Sequence, residues 1–232
     1  MLFVLGLGKS IVGDTVYCDY PPAAKAIAKI GDYNTNYEKV LALKPDLVVG
    51  DAVANARAIT RLTKLHLPLL AIRATSLMTV EQSLGVLGEM TGTKRQSAFV
   101  VGQMEQKRRL AAALAAHGPH PRVLLAIQTN PLWVAGDDTF MGDILRQAGG
   151  VNAAASVRGY GPYSKEALLA HPPDLILGDA SVQAAFRADP ALASLPAVRA
   201  GHFFDIPADL ITRPGPRLAD GLLLMAHRLH RR

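Results

Sequence analysis

The chain has 232 residues, 50% hydrophobic and 19% charged, enough apolar material for one large core or two smaller ones and too much for a disordered segment. Its net charge of +6 and pI of 9.6 suit an anionic ligand, an anionic membrane surface or nucleic acid. The charge is dispersed, however, and its dense groups, Lys107-Arg108-Arg109 and the tail from Arg228 to Arg232, read as a solvated helix face and a C-terminus, so no nucleic-acid partner is expected. Cys18 stands alone, which excludes an internal disulfide and a thiolate metal cluster; the histidines are scattered, and no metal site is expected.

Taken in chain order, residues 2–9 read as the end of a helix broken by Gly6 and Gly8. IVGDTVY (11–17) is a short β-prone run before the turn-forming Asp19-Tyr20-Pro21-Pro22. A helix is expected from Tyr37, with Asn34, Thr35 and Asn36 as available caps and Pro45 as its end. A buried strand follows at 46–49, and Gly50-Asp51 opens a loop. NARAITRLTKLHL (55–67) is amphipathic and helical, and PLLAI (68–72) is a strand; this alternation implies a parallel sheet with helices on its faces. TVEQSLGVLGEMTG is a helix ending at Gly92. The proline-free stretch 93–117 reads as one helix about 36 Å long, either a strut between two lobes or an ordinary packing helix of a single domain. Beyond it, RVLLAI (122–127) is a strand, QTNPLWVAG a loop and TFMGDILRQAGG (139–150) a helix capped by glycines. Tyr163 to Ala170 is a helix with Ser164 as cap, DLILGD a strand, 201–206 another, and 214–230 the closing helix, with Pro214 and Pro216 in its entry turn. The expected division is a lobe at 1–92, a linking helix at 93–117 and a lobe at 118–232.

One segment occurs twice. EKVLALKPDLVVGD (38–51) and EALLAHPPDLILGD (166–179) agree without a gap at Glu, Leu, Ala, Pro, Asp, Leu, Gly and Asp. A single long repeat points to two related halves, since short arrays repeat every 20–50 residues or so. Two glycine patterns near the start lead nowhere. A dinucleotide fingerprint would need Gly at Ile11, and a phosphate-binding loop ending in Gly8-Lys9-Ser10 would need Gly at Phe3.

GLGKSIVGDTVYCDYPPAAKAIAKIGDYNTNYEKVLALKPDLVVGD, DDTFMGDILRQAGGVNAAA, GYGPYSKEALLAHPPDLIL and VRAGHFFDIPADLITRPGPRLADGL span nearly the whole chain. In this order and spacing they resemble class III substrate-binding proteins of ABC transporters, which bind vitamin B12, ferric siderophores or haem. The resemblance implies an α/β fold of two Rossmann-like lobes with parallel sheets, joined by one long helix, with the ligand in the cleft between them. Met1 falls inside the family's first helix, so the N-terminal lobe is expected to lack the family's first strand, and the chain as it stands carries no signal peptide. The implied location is periplasmic or extracytoplasmic, with the membrane reached only through the transporter or a lipid anchor. The CDYPP element (18–22) is most similar to the cobalamin-binding branch; a ferric-siderophore or haem carrier of the same class is the alternative, and a cytosolic corrinoid or metallophore carrier a further one. An enzyme is not expected, because no Ser/His/Asp or Cys/His arrangement is forced together. No resident cofactor is expected either, the ligand itself being cobalamin or another metal chelate.

Ligands of parallel sheets sit outside the carboxyl ends of the strands. The loops expected there hold Trp133 and every tyrosine except Tyr37, and such residues give stiff apolar contact area with polar tips. By motif position Trp133 and Tyr160 fall where B12-binding relatives place cleft aromatics. Tyr17, Tyr20 and Tyr33 are further candidates, and Asp51 falls where such a relative can have an aromatic. For each aromatic the plain alternative is partial burial within its own lobe. Arg213 suits an anionic ligand group or a salt bridge within its lobe. Glu38 and Glu166 suit the positive ends of their helices, worth about 0.3–1 kcal/mol each. The resemblance adds a second role, docking onto arginines of a permease dimer, whose symmetry a duplicated chain would match.

Overall fold

A computed structural model describes residues 1–32 and 34–230, in two compact units: Met1–Ala74 with Glu81–Val101, and Thr75–Val80 with Gly102–Arg232.

The first unit opens with two 3-10 turns, Leu2–Leu5 and Gly8–Ser10, in place of the expected helix end; Gly6 closes the first at φ 81°, a left-handed conformation that favours glycine. IVGDTVY contributes one parallel bridge, Asp14 to Lys29, rather than a strand, because no neighbour supplies it a longer ladder. Helix α1 (Tyr37–Ala42) starts at Asn36, whose Oδ1 accepts the Lys39 N–H at 2.9 Å. Strand β1 (Val48–Asp51), helix α2 (Ala56–Lys64) and strand β2 (Leu69–Ile72) form the expected parallel unit, in register from Val48 opposite Leu69 to Asp51 opposite Ile72, but β1 is half-buried rather than buried and takes in Gly50 and Asp51, the expected start of a loop. Its core gathers Val40 from α1 and the i, i+4 pair Ala58 and Leu62 from α2, packed against Ile30, Tyr37, Val48, Leu67 and Leu69. Helix α3 (Leu77–Met90) buries Leu77, Val80, Leu84 and Leu87 at helical spacing and ends before Gly92, which is also left-handed. Helix α4 (Lys94–Ala115) has 22 residues. The unit boundaries fall inside these two helices, at Val80/Glu81 and Val101/Gly102.

In the second unit β3 (Arg122–Thr129) leads into β4 (Leu132–Ala135), α5 (Phe140–Gln147), β5 (Val151–Asn152) and β6 (Tyr160–Pro162). Then come α6 (Lys165–Ala170), β7 (Leu175–Leu177), α7 (Ala180–Ala188), α8 (Pro196–Arg199), β8 (Phe203–Phe204), α9 (Ala208–Ile211) and α10 (Leu218–His230). The strand order is β6-β4-β3-β7-β8, with β5 also paired to β3. Strands β3, β5, β7 and β8 are parallel, whereas β4 pairs antiparallel with both β3 and β6, so the sheet is mixed rather than wholly parallel. Two expectations fail for the same reason. QTNPLWVAG is a hairpin, not a loop, and GYGPY supplies its third strand; Pro131 reads locally as a breaker but occupies the turn, where no ladder hydrogen bond is required. Leu124, Leu168, Ile176 and Phe186 are fully buried in this unit's core, each large side chain worth about 1.5–3 kcal/mol in transfer from water.

Candidate ligand-binding site

The eight-residue strand β3 belongs to two kinds of sheet. Its residues Val123 to Leu125 pair with β7 in parallel, and its last residues, from Ala126 to Thr129, run further to pair with β4, Gln128 opposite Trp133. Trp133 therefore projects from the hairpin that extends past the carboxyl end of the parallel strands, where ligands of such sheets bind. Strand alternation places Trp133 on one face and Val134 on the other, and Val134 opposite Gly161 is buried. Tyr160 lies opposite Ala135 and Pro162 opposite Trp133, so both aromatics share one face on neighbouring strands, at a diagonal spacing of about 7–8 Å, with buried Ala135 between them. Trp133 is 38% exposed and Tyr160 40%. The Tyr160 ring leans on Phe140 at the start of α5, with centroids 5.9 Å apart and planes at 59°.

This aromatic face is supported from below. Asn152, buried in β5, donates from Nδ2 to the Ala135 carbonyl at 2.9 Å and accepts the Ala154 N–H on Oδ1. It thereby fixes the end of β4 against which Tyr160 is registered. At Gly136 a Cβ would run into the Val157 carbonyl oxygen, so glycine is required for the close approach of the two chain segments there. Asp143 in α5 is a buried carboxylate with three donors: the Leu77 N–H at the start of α3 (2.9 Å), Gln147 (2.8 Å) and Arg146 (2.6 Å). Arg213 lies 3.8 Å from Asp209, which also faces Arg217 at 3.5 Å, an ion-pair arrangement within the second unit.

In the first unit Tyr17 and Tyr20 are 50% and 53% exposed on the segment between Asp14 and the 3-10 turn Pro22–Ala26. Tyr33 lies outside the described residues. Asp51 ends β1 with its carboxylate accepting the Val53 and Ala54 N–H groups, both at 2.8 Å, so its charge organises the following turn. Among the described residues no group of three His, Cys, Asp or Glu side chains could hold a metal ion.

The two copies of the repeat are built alike. Glu38 and Glu166 are exposed at the second position of α1 and α6, behind the caps Asn36 and Ser164. Val40 and Leu168 are the corresponding buried anchors. Asp51 and Asp179 close the copies by capping the segments that follow, Asp179 accepting from Val182 N–H and the Ser181 hydroxyl. The Glu166 carboxyl is held below the usual carboxylate range by its own backbone N–H and then by the Ser164 hydroxyl at 2.9 Å.

Three residues that support these surfaces escape a reading of the sequence: Phe140, Asp143 and Asn152. Asn152 left a faint signal, a lone amide between GGV and AAA. The others are unremarkable in their local context.

A sequence model of periplasmic binding proteins matches residues 1–210. The chain belongs to the periplasmic binding protein family. Members of this family are transport components, not enzymes, and act at the periplasm or from a lipoprotein anchor. Among relatives, this periplasmic binding protein is similar to a Bacillus subtilis protein named as the uncharacterized ABC transporter substrate-binding lipoprotein YvrC, with 31% identity over 98% of this chain and 76% of that protein. It is also similar to the cobalamin-binding protein of Halobacterium salinarum, with 27% identity over 99% of this chain; the chain spans 66% of the length of that relative. Among solved structures it matches the periplasmic heme-binding protein RhuT from Roseiflexus, with a TM-score of 0.87 and 27% identity over 99% of this chain and 93% of that one. No helix among the described residues is long and apolar enough to cross a membrane.

Proposed function

We propose that this periplasmic binding protein is the substrate-binding component of an ABC importer and that it carries a corrinoid. The observation that carries the reading is the exposed aromatic face of Trp133 and Tyr160 at the carboxyl end of the second unit's sheet. Leaving part of two such rings in water forgoes that burial, and a flat macrocycle laid on them recovers it. Tyr17 and Tyr20 offer a second surface of the same kind in the first unit. Arg213 is the proposed partner of an anionic group on the ligand, exchanging its long contact with Asp209 for a closer one. The cobalamin-binding relative supports the corrinoid, and the heme-binding structure supports haem as the second reading, with ferric siderophores in the same class.

Delivery requires a membrane permease and its ATPase. Glu38 and Glu166, exposed at equivalent positions of the two repeat copies, are the proposed contacts to equivalent arginines of a permease dimer. In this reading α4, within 93–117, connects a first lobe at 1–92 to a second at 118–232. The test is retention. The protein is mixed with cyanocobalamin, haemin or a ferric hydroxamate and freed of excess ligand by gel filtration. Co-elution of cobalamin absorbance with quenched Trp133 fluorescence is the expected result. Retention of haemin or the hydroxamate alone would reassign the ligand, and retention of none would defeat the transport reading.

A further inference from the structure

We propose that Lys29 is a positioning residue whose ammonium holds the segment from Asp14 to Ile27 in the one geometry that presents Tyr17 and Tyr20. The proposal rests on the transport reading, in which those tyrosines meet the ligand. Apart from the short 3-10 turn Pro22–Ala26, the segment has little regular structure, and ordering such a chain costs about 1–2 kcal/mol per residue in backbone entropy. An ammonium has three donors, and all three are used here. Lys29 Nζ donates to Asp14 Oδ1 at 2.6 Å, to the Cys18 carbonyl at 3.1 Å and to the Ala24 carbonyl at 2.9 Å. These acceptors lie at the start of the segment and on both sides of Tyr20-Pro21-Pro22, so one charge closes the turn that carries Tyr20.

The base of the lysine is fixed as well. Asp14 N–H donates to the Ala28 carbonyl at 3.0 Å, and Ile30 N–H donates to the Asp14 carbonyl at 2.9 Å, which locks the backbone on either side of Lys29. The Asp14 side chain is only 11% exposed and that of Lys29 29%, so the pair is shielded better than an ordinary surface ion pair. An arginine would spread its donors in one plane, which does not match three acceptors in three directions.

The experiment uses the full chain without ligand, comparing wild type, Lys29→Met and the double variant Asp14→Asn/Lys29→Met. The double variant removes the carboxylate that the single change strands. The amides of Cys18, Ala24 and Ile27 bond within the segment, to Thr15, Pro21 and Ala24 carbonyls. Their hydrogen exchange is expected to be about tenfold faster or more in both variants, with β1 and β2 unaffected and the melting temperature of the double variant close to wild type. Titration with cyanocobalamin, haemin and a ferric hydroxamate is expected to give a Kd about tenfold weaker in both variants, a loss that the recovered melting temperature does not repair. Unchanged exchange at the three amides overturns the proposal. So does an unchanged Kd in a variant whose exchange has risen. A wild-type protein that binds none of the probes overturns the transport reading instead, and the exchange result still decides whether Lys29 pins the segment.

Discussion

Trp133 and Asp143 show two opposite ways in which a single side chain matters here. Trp133 is 38% exposed, so part of its surface is left for a ligand while the rest packs within the sheet, and truncation should cost the free protein about 1–3 kcal/mol. In the proposed complex the same ring becomes a buried anchor. Trp133→Ala is therefore expected to weaken ligand binding by about 2 kcal/mol, roughly thirtyfold in Kd, measured by titration with whichever probe the wild type retains. Asp143 is the reverse case. It is buried and touches no proposed ligand surface, yet it satisfies the first N–H of α3 and two side chains of its own helix. It lies within the motif TFMGDILRQAGG, where local reading sees only a helix. The cap it provides to Leu77 spans 66 positions of sequence, and nothing within a few residues of either partner announces it.

The repeated helix–strand element was the most legible part of the chain because its signals are local. A cap, an acidic first turn, a buried aliphatic, a proline and an aliphatic strand fit within about sixteen residues, 36–51 and 164–179, and the structure uses each of them in both copies. The element also yields a test of docking. Glu38→Ala and Glu166→Ala should each leave the melting temperature close to wild type and ligand binding unchanged. The same changes should reduce ligand-stimulated ATP hydrolysis by the reconstituted transporter, and the double change should do so more than either alone. The hairpin β3–β4 and its partner β6 were illegible by contrast. Each run is short, a proline sits in the turn, and the pairing joins β4 to a strand some 25 residues away. That arrangement depends on Asn152. Asn152→Ala strands the Ala135 carbonyl and the Ala154 N–H in a buried place, so a loss of about 1–3 kcal/mol in denaturant unfolding is expected. Because the change loosens the strand against which Tyr160 is registered, ligand affinity should fall with it.

Taken as a whole, the molecule carries carboxylates whose interactions set its response to acid. Asp179 is held below its usual range by the Ser181 hydroxyl and then the Val182 N–H, and Asp189 by Lys165 and then the Leu192 N–H. Glu166 behaves likewise, through its own N–H and Ser164. A group whose folded pKa is depressed binds fewer protons folded than unfolded. Its stabilisation is present above the unfolded pKa and is lost as pH falls through the folded one. Thermal stability should therefore hold from about pH 7 down to about pH 5 and drop below about pH 4, with a shallower drop in Asp179→Asn, as read by melting curves across that range. Most of the longer helices, the repeated helix–strand segment, the aliphatic cores and the family were written in the chain, because caps, breakers and apolar spacing act over a few residues and survive any arrangement of the rest. Which exposed aromatics share a sheet face, which amide props up β4 and which lysine ties together Asp14, Cys18 and Ala24 were settled only in three dimensions. Hydrogen bonds and register between distant segments depend on where the backbone has already been brought, and no local preference encodes that.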